Sequence, residues 1–137
     1  MRESRDVFHL AIPAYELDAT LHFYVAGLGC KLARRYDDRV TLDFFGDQVV
    51  CDLSSPPDVM PEVSELEMYP RHFGVTFREL PDFESVYELA QQRGLSFFDD
   101  VRERFVGRVE VHRTFVLCDP SSNLIEFKWY VDHRMMY

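Results

Sequence analysis

Phe8-His9-Leu10-Ala11-Ile12 and Arg71-His72-Phe73-Gly74-Val75 carry one pattern twice: a histidine, an apolar residue, a small residue and a β-branched residue, with the two histidines 63 positions apart. Apolar residues alternating with others over so short a run predict a half-buried strand. Around the first copy the strand spans about Val7–Ala14 and ends at Pro13. A helix then runs from about Asp18 to Ala26, because Leu17, Leu21, Tyr24, Val25 and Leu28 recur at helical spacing, Asp18 can cap it, and Gly27 and Gly29 stop it. Three strands follow, near Cys30–Tyr36, Arg39–Phe45 and Gln48–Ser54, divided by Asp37-Asp38 and Gly46-Asp47.

The second copy begins the same order again. A strand at Arg71–Phe77 leads to a helix at about Asp82–Arg93, with Phe83, Val86, Leu89 and Ala90 as its buried stripe, Asp82 as its cap and Gly94 as its end. Strands fit Leu95–Asp99, Glu110–Leu117 and Asn123–Val131, with an interior loop over Asp100–Arg108. A weaker echo aligns Cys51-Asp52-Leu53 with Ile125-Glu126-Phe127. The prediction is an α+β chain of two βαβββ modules, about 7–54 and 71–131. The linker 55–70 between them is rich in proline and acids.

Composition narrows the partners. The 137 residues hold 15 Lys+Arg against 24 Asp+Glu, a net charge of −9, and such a chain lacks the basic stripe that binding nucleic acid requires. No apolar run approaches the ~20 residues that span a bilayer, and no apolar signal core follows Met1, so membrane is not expected as a partner and a cytoplasmic protein is. Cys30, Cys51 and Cys118 are odd in number and widely spaced, which suits buried thiols rather than a disulfide framework.

Strand alternation assigns faces. If Phe8, Leu10 and Ile12 pack under a helix, His9 and Ala11 take the open side. By the same rule Asp52, then His72, Gly74 and Thr76, and then Leu124, Glu126, Lys128 and Tyr130 face the open side. Two histidines and two carboxylates on matching faces of matching strands form a metal-ligand set: His9, Asp52, His72 and Glu126. Imidazole and carboxylate oxygen suit Zn, Ni, Fe, Co or Mn. His112 falls on the same side with Thr114 and Val116 and could give or take a proton near neutral pH. His22 and His133 read as surface residues.

The segments Phe8–Ile12, Leu21-His22-Phe23-Tyr24-Val25-Ala26-Gly27-Leu28-Gly29, His72-Phe73-Gly74-Val75 and Asp119-Pro120-Ser121-Ser122-Asn123-Leu124-Ile125-Glu126-Phe127 resemble the vicinal oxygen chelate superfamily. That superfamily includes glyoxalase I, methylmalonyl-CoA epimerase, fosfomycin-modifying enzymes, extradiol dioxygenases and bleomycin-binding proteins. The resemblance implies paired βαβββ modules in a cupped mixed sheet around one divalent metal. It makes His9, His72 and Glu126 ligands and puts Asp52 at a fourth position, where glyoxalase-like members usually carry Glu. It also implies a homodimer.

Three functions follow as expectations. The first is a metal-dependent lyase or isomerase acting on a small-molecule substrate with vicinal oxygens, with Glu126 or His112 moving a proton. The second is an Fe(II) dioxygenase, if Asp52 does not bind. The third is a drug-binding protein of the bleomycin type, which the acidic, aromatic composition suits. Arg102, Arg104 and Arg108 in the interior loop could hold an anionic substrate.

Overall fold

The computed structural model describes residues 3–137. The chain divides into two compact units at the Met60–Pro61 bond. Each is a βαβββ module, the α+β arrangement expected from the repeat.

In the first unit, β1 (His9–Ala14) leads into α1 (Leu17–Leu21), which continues as one wide turn of π-helix over His22–Gly27. There the Leu28 N–H reaches back five residues to the Phe23 carbonyl. The helix cap is Glu16 rather than Asp18: its carboxylate accepts from the Asp18 and Ala19 N–H groups, and Asp18 lies two residues too late to do so. β2 (Lys31–Arg35), β3 (Arg39–Phe44) and β4 (Asp47–Leu53) complete a sheet of order β1-β4-β3-β2, in which β1 and β4 run parallel. Tyr24, Val40, Leu42, Val49 and Cys51 are fully buried on its helix side. Each large apolar side chain of this kind contributes about 1.5–3 kcal/mol by leaving water.

In the second unit, β5 (Phe73–Phe77), α2 (Leu80–Gln92), β6 (Phe97–Arg104), β7 (His112–Cys118) and β8 (Leu124–Tyr130) build a sheet of order β5-β8-β7-β6. α2 starts earlier than Asp82, with Glu79 at the cap and Pro81 in the first turn, where its missing N–H costs nothing. It buries Phe83, Val86 and Ala90, and Phe83 meets Phe115, which stacks on Phe127 with ring centroids 5.0 Å apart.

Two boundaries differ from the sequence reading. β6 runs on to Arg104, so Arg102 and Arg104 stand on a strand, opposite Thr114 and His112, and only Arg108 lies in the loop. Bulges between Phe97 and Arg102 keep the strand paired through its polar stretch. The linker also divides: Val63, Leu66 and Met68 pack on Val116, Cys118 and Leu124, so residues 61–70 belong to the second unit. The 3₁₀ turns Val63–Glu65 and His133–Met136 were not anticipated. Among the described residues no helix is long and apolar enough to cross a membrane.

Candidate metal-binding face

The open face of the second sheet is built around Glu126, in the middle of β8 and 6% exposed. A buried carboxylate needs partners, and Glu126 has three. Its Oε1 accepts from the Thr114 hydroxyl at 2.8 Å, while its Oε2 lies 3.1 Å from His72 Nε2 and 3.0 Å from Lys128 Nζ. Sheet register explains the grouping: Glu126 sits between Gly74 on β5 and Val116 on β7, with Lys128 and Thr114 opposite each other one step along. His72, Gly74, Thr76, Glu126 and Lys128 line a recess of about 160 Å³.

Gly74 is what lets β5 and β8 come together. A Cβ placed on it would fall 1.6 Å from the Glu126 carbonyl oxygen, so no residue with a side chain fits there without moving the strand that carries the carboxylate.

His72 immediately precedes β5, and its Nδ1 lies 2.9 Å from the Met68 carbonyl, which can only accept. Nδ1 therefore carries the proton, and Nε2 is left either to take a second proton or to offer its lone pair to a cation. Two ligands at ~2.0–2.2 Å from one ion and at right angles to each other are separated by about 3 Å, the spacing found between His72 Nε2 and Glu126 Oε2. The donor chemistry of this pair thus fits a divalent metal.

The first module presents His9 in the same way. Its Nδ1 is 2.6 Å from Gln48 Oε1, directly across the β1–β4 pair, so Nε2 is again the open nitrogen. Held histidines of this kind are typical of metal ligands, whose second ring nitrogen is tied to an oxygen.

Asp52 does not occupy the position expected of it. In the second module the residue two after the histidine, Gly74, faces Glu126; in the first, the residue two after His9 is Ala11, and it faces Val50. Asp52 faces Pro13, four residues beyond His9 and thus about 13 Å along the strand, and it is exposed. The echo of Cys51-Asp52-Leu53 in Ile125-Glu126-Phe127 is therefore out of structural register by two residues, and an apolar Val50 stands as the counterpart of Glu126. Among the described residues no group of three or more His, Cys, Asp or Glu gathers as a ligand cluster.

His112 takes the same side of the sheet as Thr114 but not the neighbourhood of the carboxylate. It is paired with Tyr130, four residues beyond Glu126, its ring lies 4.6 Å from that of Tyr130, and its Nδ1 is 3.0 Å from the Glu110 carbonyl. It is 5% exposed, not a surface histidine. Cys30 and Cys118 are buried, as expected, and burial pushes their thiols up to about 12 and about 11. Cys51 is buried too.

A family model described as the Glyoxalase/Bleomycin resistance protein/Dioxygenase superfamily matches residues 7–127. The chain belongs to this superfamily. A glyoxalase/bleomycin resistance protein/dioxygenase from Alicyclobacillus acidocaldarius is 60% identical, with a TM-score of 0.90 over 100% of both chains. Two remote structures share the superfamily fold. TioX from Micromonospora sp. ML1 has 14% identity and a TM-score of 0.69, over 92% of this chain and 99% of its own. The fosfomycin resistance protein FosX from Listeria monocytogenes has 13% identity and a TM-score of 0.67, over 95% and 97%. No curated protein matches the sequence. The superfamily includes enzymes, and its members commonly use divalent metals.

Gln48 was absent from the sequence reading, because only the register of a parallel pair reveals which β4 residue faces His9. The Met68 carbonyl was equally hidden in a stretch that reads as linker. Gly74 did leave a signal, a lone glycine inside a strand pattern.

Proposed function

We propose that this chain is a metal-dependent enzyme, a lyase or isomerase of the glyoxalase type, acting on a small substrate with two adjacent oxygens. The observation that carries the reading is the 3.1 Å approach of His72 Nε2 to Glu126 Oε2, with His72 Nδ1 already committed to Met68. His72 and Glu126 would hold the metal, and His9 is the donor the first module has to offer. Asp52 drops out of the set on register. A bound Zn, Ni, Fe, Co or Mn would supply Lewis acidity toward both substrate oxygens.

The remaining work falls to side chains. Thr114 fixes Glu126 by Oε1 and so leaves Oε2 as the working oxygen. Glu126 is the carboxylate at hand to move a proton, and Lys128 brings a positive charge beside it. His112, with Tyr130, would meet the far end of a longer substrate. The proposal includes a homodimer, for which the exposed Val7, Phe8, Leu32, Tyr36 and Leu53 of the first module are available as apolar contacts.

A second reading, an Fe(II) dioxygenase of a catechol-like substrate, is favoured by one observation: Val50 in place of a fourth ligand leaves two histidines and one carboxylate, a donor set suited to that chemistry. Anaerobically prepared protein loaded with Ni, Zn, Mn or Fe(II) separates the two. Isomerisation or lyase turnover of a 2-oxoaldehyde adduct without oxygen uptake supports the first. Oxygen consumption with catechols by the Fe(II) form alone replaces it with the second.

A further inference from the structure

We infer that Lys128 determines specificity by requiring an anionic substrate, one with a carboxylate or a comparable acidic group among or next to its two adjacent oxygens. The inference rests on the metal reading above and concerns the same face. Lys128 is only 28% exposed and stands mid-strand, with Nζ 3.0 Å from Glu126 Oε2. As the residues stand, the ammonium is neutralised by that carboxylate. A divalent ion on His72 and Glu126 draws on the same negative charge, and Glu126 cannot neutralise both. The ion brings two positive charges, Lys128 one, and Glu126 removes one, while the histidines are neutral ligands. A half-buried site with that surplus favours a ligand that brings negative charge.

The placement is specific to this wall of the recess. In a chain of net charge −9, the recess is lined by one ammonium and one carboxylate, with the Thr76 hydroxyl on the strand position opposite Lys128 and Thr114 on its other side. The Lys128 ammonium and the Thr76 hydroxyl side by side suit a carboxylate's acceptor oxygens, while the Thr114 proton stays with Glu126. The first module has no such residue: the position two beyond Val50 on β4 is Asp52.

The test is calorimetric titration of metal-loaded protein with oxalate, a dianion with adjacent oxygens, and with hydroxyacetone, its neutral comparator, in wild type, Lys128→Met and Lys128→Arg. Metal content is measured on each sample first. The expected result is oxalate binding at least about tenfold weaker in Lys128→Met, the loss of one charge-assisted hydrogen bond. Lys128→Arg should keep most of the affinity, and hydroxyacetone should bind all three alike. Equal oxalate affinity in metal-loaded wild type and Lys128→Met overturns the inference and leaves the metal reading standing. So does a parallel loss of hydroxyacetone binding, which would make the effect general damage. Wild-type protein that takes up no metal overturns both.

Discussion

Gly74 and Glu126 face each other across the parallel β5–β8 pair so closely that a methyl group on Gly74 would sit 1.6 Å from the Glu126 carbonyl oxygen. Backbone cannot yield as a flexible side chain can. Gly74→Ala should therefore push the strands apart, at a cost of about 3 kcal/mol or more, and move the buried carboxylate with them. Its counterpart Ala11 gives the control, since Ala11→Gly should cost only about 1 kcal/mol. Urea unfolding of both variants measures this, and equal small losses would contradict the close approach.

A histidine is a useful ligand only when the right nitrogen is free. Gln48 holds His9 by Nδ1 at 2.6 Å, and Gln48→Leu removes the acceptor without touching the core. Metal affinity should fall roughly 10–100-fold, the usual cost of losing such a support, with unfolding unchanged. Competition against a chromogenic chelator reads the affinity, and an unchanged value would release Gln48 from that role.

The sequence carried the architecture further than it carried the site. Strand and helix order was legible because apolar periodicity and glycine stops report local geometry. His72 and Glu126 were legible because alternation reports faces. Asp52 was misplaced because alternation says which side a residue takes but not which neighbour it meets. A shift of two residues preserves every face and changes every partner, so Asp52 and Val50 were equally good on pattern alone. Arg102 and Arg104 were read as loop because bulges break the alternation that would have shown β6 continuing.

Burial raises the Cys30 thiol from 9.0 to about 12, helped by the Asp43 charge, and the Cys118 thiol from 9.0 to about 11, helped by Asp119. A folded pKa above the unfolded one means the unfolded chain loses its protons first as pH rises. The stabilisation is complete below about pH 9 and is lost as pH climbs toward 11–12. Native protein should resist a thiol reagent at pH 8, and stability should fall across that alkaline window, less steeply in Cys118→Ala. Rapid labelling of both thiols in folded protein would contradict this.

The central proposal, that His72 and Glu126 hold a divalent metal, is tested most directly by elemental analysis of anaerobically purified protein. Wild type is predicted to carry about one divalent ion per chain, and His72→Ala and Glu126→Ala almost none. His9→Ala should carry a reduced, chelator-labile amount. Stoichiometric metal retained in all three variants would contradict the account.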